Sequence, residues 1–335
     1  MLDVRKLVLL RELAIRGTIA AAAEALSFSP SAVSQQLSAL ERETGVELLR
    51  KVGRRVQLTP QAEVLVAATA ELLDTLERAD VAMQASLGEV TGTIRVAVFQ
   101  SAALTLMPAA LRAMTEAHPG LRIEMAQQEP GQALSDTWAR EFDVVLGEEY
   151  PAHSAPWLSG LERHDLTSDA VQLALPAEAD SPHPLASLDD ARTMPWVMEP
   201  PGTASRHFAE QLCRVAGFEP DVRYETADLQ TQIRLIETGN AVGFMPELVW
   251  SGRPTTCRIL TPPGAPRRTI FTAHRASASG SPAIAALRGA LEASAAAWRA
   301  STVVVSDAAG AVRTSPADAV GPDARDASRQ VSDAS

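Results

Sequence analysis

The apolar residues of the first sixty positions fall into three short helical runs. Leu7, Leu10 and Ala14 mark a helix over about 4–15. Thr18 stands where an N-cap belongs, ahead of an alanine-rich run that ends near Leu26 and allows close helix approach. Ser29 and Pro30 then supply an N-cap and a first helical residue. Val33, Leu37 and Leu40 follow at i, i+4, i+7, one apolar stripe, and Gly45 suits a left-handed end. From 60 to about 88 a single long helix is predicted. Its Leu65, Ala68, Leu72, Leu76, Ala79 and Met83 are spaced 3, 4, 4, 3, 4, a heptad-like seam, with Glu63, Glu71, Arg78 and Asp80 mostly off it. Gly88 to Gly92 reads as a hinge.

Beyond Thr93 the pattern alternates between strands and helices, which marks a mixed α/β region. Strands are predicted at 93–99, 121–127, 143–146, 171–175, 222–225, 241–245, 257–260 and 268–274. Helices are predicted at 102–117, 204–216, 228–238 and 282–299. Residues 301–335 are rich in Ala, Ser, Asp, Gly and Pro and are expected to form a disordered tail.

The polar side of the third helix carries Ser31, Ser34, Gln35 and Ser38. Small hydroxyls and one amide can meet base edges or phosphates without filling a major groove. A hairpin follows with four basic residues in six positions, Arg50, Lys51, Arg54 and Arg55, placed to touch phosphates or a minor groove. Through Thr59 nine Lys and Arg face six Asp and Glu, whereas the whole chain carries a net charge of −11. A basic end on an acidic chain suits a regulator that must not bind DNA indiscriminately. The competing reading of the same segment is a three-helix bundle with an ordinary solvated face.

With 335 residues, two or three domains are expected. No apolar run is long enough for a membrane span, and the charged amino terminus lacks a signal-peptide core, so a cytoplasmic protein is expected. Cys213 and Cys257 read as buried thiols. The six histidines are scattered without ligand spacing, and no nucleophile elbow, phosphate loop or Cys-x-x-Cys motif is present. No catalytic residue, metal or cofactor is expected.

The amino-terminal stretch resembles the winged helix-turn-helix of LysR-type transcriptional regulators. The resemblance rests on Gly17-Thr18, Ala21-Ala22, Leu26, Ser31-Ala32-Val33-Ser34, Gln36-Leu37, Leu40-Glu41, Gly45, Leu48, Gly53-Arg54 and Leu58-Thr59-Pro60. It departs from the family at Leu49, Lys51 and Ala62, where Phe, Arg and Gly are usual; Lys51 keeps the charge but loses a bidentate fork. The resemblance runs on to about residue 300. It implies an α+β multi-domain chain: a winged helix-turn-helix over 1–59, a dimerisation and linker helix over 60–88, and an effector domain over 89–300. That domain would have two lobes of the periplasmic-binding-protein type (type 2). Lobe I would comprise about 93–163 and 268–300, lobe II about 167–263, with crossings near 161–168 and 262–267. A seam on a helix with no other core nearby calls for a partner; the alternative is a helix packed on its own chain, and the family relationship is what gives it a dimer role.

The resemblance also implies a mechanism. Ser34 and Gln35 would contact bases. Ser31 and Ser38 would lie near phosphate, with Thr18, Ser29, Pro30 and Ala32 beside them. Lys51, Arg54 and Arg55 would contact DNA from the wing. A dimer of dimers on an interrupted palindrome would govern access of RNA polymerase. A small-molecule effector would sit at strand carboxyl ends, where helix amino termini offer free N–H groups. Gln100 and Ser101, Glu148 and Glu149, Glu199, Thr203, Ser205 and Arg206 occupy such loops, and Met245 ends a later strand. Ser101, Thr203 and Ser205 have plain alternatives as helix caps. The glutamates hint at an amine-bearing effector and Arg206 at a carboxylate, which together would suit an amino acid. Two rival readings are an architectural DNA-binding protein without an effector, and a solute-binding module whose amino-terminal bundle binds protein.

Overall fold

A computed structural model shows how these patterns assemble. It describes residues 2–52, 55–177, 187–252 and 254–309, with Arg55 and 302–309 described by backbone alone. Three helices, α1 (Val4–Arg16), α2 (Ile19–Ala25) and α3 (Pro30–Thr44), precede a hairpin of β1 (Leu49–Val52) and β2 (Arg55–Leu58). Their boundaries follow from local chemistry. Thr18 and Ser29 each accept a hydrogen bond from the backbone N–H three residues on, at 3.1 and 3.2 Å. Gly17 and Gly45 close α1 and α3 at φ of 73° and 70°, where a Cβ is strained. Leu10, Ala22, Val33, Leu37, Leu40 and Leu48 form the small core of this domain. Partly buried Leu65 and Val66 join it from α4 (Pro60–Ser86), fastening the long helix to the winged domain.

Lobe I is built on parallel β3 (Gly92–Val98), β4 (Leu121–Gln127) and β5 (Val144–Glu149), extended by antiparallel β11 (Arg267–Arg275) and β6 (Leu161–Leu175). Strand alternation supplies both faces. Val96, Val98, Val144, Leu146 and Ile270 pack with α6 (Met107–Ala117) and α10 (Pro282–Ala309). Ala97, Val145, Phe271 and Ala273 pack with α7 (Pro130–Trp138).

The lobes are joined by strands. β6 is one continuous strand whose first ten residues pair with β11 and whose last five pair with β9 (Gly243–Pro246) and β10 (Arg258–Leu260). The chain returns between Leu260 and Arg267. Lobe II adds β7 (Pro195–Met198) and β8 (Asp221–Glu225), and a bridge from Trp196 to Val242 ties β7 to the segment entering β9. Helix α8 (Ala204–Val215) covers one face around Trp196 and Cys213, and α9 (Leu229–Glu237) covers the other around Ile233 and Met245.

Four features differ from the sequence pattern. The helix expected at 102–117 is two helices, α5 (Gln100–Thr105) and α6, which part at Leu106, ahead of Pro108 in the first turn of α6. Helix α7 and strand β7 were not expected. Strand β6 is far longer than the piece predicted at 171–175. Helix α10 continues to Ala309, nine residues into the segment expected to be a tail; the rest of that segment lies outside the described residues.

The stripe on α3 makes a direct test possible. Val33, Leu37 and Leu40 are at most 1% exposed, whereas Ser34, Gln35 and Ser38 are exposed. In urea unfolding, Leu37→Ala is expected to cost about 2–5 kcal/mol through lost burial and a cavity. Ser34→Ala should stay within about 0.5 kcal/mol of wild type.

Candidate nucleic-acid interface and interlobe cleft

One end of the molecule presents the polar side of α3. Ser31, Ser34, Gln35 and Ser38 all face solvent, and the Ser29 and Ser31 hydroxyls lie 3.0 Å apart at its amino terminus. Pro30 occupies the first turn, Ala32 is half-buried, and Thr18 lies exposed at the start of α2. Lys51 is exposed on β1. Arg54 and the Arg55 side chain lie outside the described residues. What remains is a convex helix face of small polar side chains beside a basic hairpin, a shape that fits a major groove.

The winged domain also leans on lobe I. The Arg11 guanidinium donates to the Trp138 carbonyl at 3.1 Å and lies 5.0 Å from the centre of that indole. Arg16 pairs with Glu141. On α4, Glu77 receives Arg140 at 2.9 Å and Arg275 at 2.8 Å, and Asp74 receives Arg140 at 2.5 Å. Burial alone would raise the Glu77 pKa, but its bonds to Arg275 outweigh that and lower it.

Between the lobes lies a cleft lined by Gln100, Ser101, Glu129, Glu148, Tyr150, Glu199, Ser205, Arg206, Phe244 and Arg268, among others. Its centre is Arg268, on β11 and 2% exposed. The guanidinium makes a fork on Asp169 (2.6 and 3.1 Å), donates to the Ser101 hydroxyl at 2.7 Å and pairs with Glu148. Asp169 is directly opposite Arg268 in the β6–β11 register, and Glu148 is the penultimate residue of the neighbouring strand β5. Gln100 clasps the opposite lobe, donating to Asp228 and accepting from the Leu229 N–H, each at 2.8 Å. The free volume of the cleft is about 40 Å³, room for a few water molecules.

The charges in the cleft do not balance. Arg206 is engaged by Glu210 at 2.5 Å and by the Glu199 carbonyl at 3.0 Å, and Arg268 is already shared by two carboxylates. Among the described residues no cation is in bonding contact with Glu199 or Glu129; the Ser205 hydroxyl donates to Glu199, and the Thr203 hydroxyl also favours its charged form. Burial pushes the Glu199 pKa up to about 7; the Ser205 bond works against that shift and the nearby Glu129 adds to it. Burial likewise raises Glu148 to about 7 against the pull of Arg268. Glu129 is raised by burial and by Glu148.

Several expected ligand residues stand elsewhere, for reasons of strand geometry. Glu149 follows Glu148 on β5 and so points to the opposite face, where Arg163 holds it at 2.8 Å. Met245 is fully buried in the core beneath α9, while its neighbours Phe244 and Pro246 line the cleft. Thr203 is the N-cap of α8, accepting from the Arg206 N–H at 3.3 Å, and stands behind the lining. Gln100, Ser101, Glu148, Glu199, Ser205 and Arg206 do meet in the cleft. Glu129, Asp169 and Arg268 were missed. A signal for Arg268 exists in the sequence, since it stands two residues before Ile270, on the strand phase that otherwise goes to the core.

Known proteins share both halves of this architecture. Residues 4–63 match the family described as bacterial regulatory helix-turn-helix protein, lysR family, and residues 87–296 match the LysR substrate binding domain. The transcriptional dual regulator GltC of Bacillus subtilis is 27% identical over 222 residues, 65% of this chain and 71% of its own. The HTH-type transcriptional regulator ClcR of Pseudomonas putida is 28% identical over 239 residues, 70% of this chain and 79% of its own. Among solved structures, full-length OxyR from Pseudomonas aeruginosa superposes with a TM-score of 0.60 at 18% identity, covering 87% of this chain and 95% of its own. Full-length CbnR in complex with its target DNA gives 0.50 at 21% identity, covering 88% of this chain and 100% of its own.

The raised carboxyl at Glu199 has a consequence for stability. The folded protein holds this proton more tightly than the unfolded chain, whose carboxyl titrates near 4.5. The stabilisation is complete below pH 4.5 and is lost as the pH rises through about 7. Glu199→Gln removes that loss. Relative to its value at pH 5, the Tm of the variant at pH 8 should exceed that of wild type by at least ~2 °C. Parallel Tm curves for the two proteins would contradict the assignment.

Proposed function

The chain belongs to the LysR family of bacterial transcriptional regulators, and on that footing we propose that it binds an interrupted palindrome in promoter DNA as a dimer of dimers. It is a ligand-responsive DNA-binding protein, and its effector in this reading is a small cationic metabolite held between the lobes. The observation that carries the DNA-reading assignment is the complete division of α3 into a buried apolar side and an exposed Ser/Gln side. In this reading Ser34 and Gln35 meet base edges in the major groove. Ser31 and Ser38 approach phosphates. Lys51, Arg54 and Arg55 lie along the backbone or minor groove from the wing.

The dimer role of α4 is supported by its exposed apolar residues. Leu76 and Met83, both on the predicted seam, are 53% and 58% exposed, and Leu87 just beyond the helix is 64% exposed. Apolar area left open along a long helix favours a second helix of the same kind. Pairing of dimers then spaces the recognition helices over successive major grooves and sets the access of RNA polymerase. The setting is the cytoplasm, where promoter DNA is found.

The effector class is supported by the unbalanced carboxylates of the cleft. A cation placed beside Glu199 and Glu129 supplies the charge that Arg206 and Arg268 have already given to other partners. An ammonium group fits this need, and a carboxylate on the same molecule could reach Arg206, as in an amino acid. A cleft of about 40 Å³ must widen for a molecule of more than a few heavy atoms. The bonds of Gln100 to Asp228 and Leu229 are among the contacts that widening breaks. An effector that binds only the widened arrangement shifts the balance between the two forms, which is what a ligand-driven switch requires.

Two measurements test these readings. In gel shifts, Lys51→Ala should weaken all DNA sequences alike and lower the slope of log K against log salt by about 1. Loss of discrimination at a single base pair would argue instead for a base contact. In calorimetry with a panel of primary amines and amino acids, binding should tighten as the pH rises from 6 to 8, and Glu199→Gln should remove that dependence. Binding that is independent of pH, or a hit confined to dicarboxylates, would contradict a cationic effector.

A further inference from the structure

In lobe I, away from both sites described above, strand pairing gathers three residues that are far apart in the sequence. Glu162 and His164 stand two residues apart on β6 and therefore on one face, and His274 on β11 is directly opposite Glu162 in the register. This face is opposite the one that carries Phe271 and Ala273 into the core beneath α7. The two imidazoles stack with centroids 5.4 Å apart and planes 12° apart. His274 Nε2 lies 3.7 Å from a Glu162 carboxylate oxygen, and one ligand atom from each of the three residues lies within 4.8 Å of the others. His164 Nε2 is buried and has no hydrogen-bond partner among the described residues.

We propose that Glu162, His164 and His274 form a binding site for a divalent cation of the zinc type. Two imidazoles and one carboxylate are a ligand set that Zn²⁺ accepts, with a water completing four-fold coordination. The buried Nε2 of His164, which makes no hydrogen bond among the described residues, is available as a ligand beside the other two side chains. His274 is 2% exposed, and burial lowers its pKa, which favours the neutral imidazole that binds metal. Glu162 is 42% exposed, which gives the ion an entry path and leaves the carboxylate free to swing inward. Bonds of about 2.0–2.1 Å imply ligand atoms ~3.3 Å apart, so binding draws the three side chains closer together than the 4.8 Å within which they now lie.

The neighbouring cations do not bar the ion. Arg275 is held by Glu77 and Asp143, and Arg288 on α10 lies 3.7 Å from Glu292. Because Arg275 follows His274 directly and anchors α4 through Glu77, an ion here braces the stretch of β11 that holds the linker helix.

The test is zinc competition with a chromogenic chelator, performed on the full-length chain, together with Co²⁺ absorption spectroscopy. Wild type is expected to bind one Zn²⁺ per chain at this site. Because His274 is deeply buried, the variants are His164→Ala and Glu162→Gln. Each should weaken Zn²⁺ binding at least ~10-fold while leaving the chelated protein's near-ultraviolet circular dichroism unchanged. Co²⁺ should give visible d–d bands without a thiolate charge-transfer band. Three results overturn the proposal: no Zn²⁺ retained by wild type, equal affinity in the double variant, or a thiolate band pointing to Cys213 or Cys257.

Discussion

The account depends on the way α3 is forced to face. Val33, Leu37 and Leu40 lie on a single stripe, and burying that stripe against α1 and α2 leaves the helix one orientation. Ser34, Gln35 and Ser38 are outside because their neighbours are inside. The N-cap at Ser29 and the glycine at Gly45 set the length of the helix, so its polar face has defined ends as well as a direction. A helix held this firmly can present the same few side chains to each new partner, which sequence-specific reading demands.

The second organising element is β11. It begins beside the cleft, where Arg268 is shared among Asp169, Glu148 and Ser101, and it ends at Arg275, which grips Glu77 of α4. One strand therefore spans the distance from the ligand cleft to the linker helix. Its flanking partners reach the same place: Glu148 of β5 lines the cleft, and Asp169 of β6 is buried behind Arg268. The strand is continuous between those two ends, with a register shift against β6 between Ile270 and Phe271. Arg11 and Arg16 add a second contact, from α1 directly onto α7 and the loop after it.

The amino-terminal half was legible because its signals are local. Caps at Thr18 and Ser29, the stripe on α3 and the seam on α4 each lie within a few turns of one helix, and the structure forms those helices nearly at the expected bounds. The core strands β3, β4 and β11 were legible for the same reason. What stayed hidden is set by pairing between distant segments. Nothing near residue 170 announces that β6 runs through both lobes, because its two halves answer to different partner strands. Glu149 and Met245 were assigned to the cleft from their place in the chain, and strand alternation turned each away by one position. Arg268 acquires its meaning only when β6 and β5 bring Asp169 and Glu148 to it. The pair His164 and His274 has no ligand spacing in sequence and is created by the antiparallel register.

The most direct test of the central claim is a hydroxyl-radical footprint of the DNA upstream of the chain's own gene, comparing wild type with Gln35→Ala at low salt. The account predicts protection in two or more patches on one face of the duplex, spaced by helical turns, and a selective loss at the base pairs facing Gln35 in the variant. A wild-type protein that protects no promoter fragment, or a variant whose footprint and affinity match wild type at every position, would contradict it.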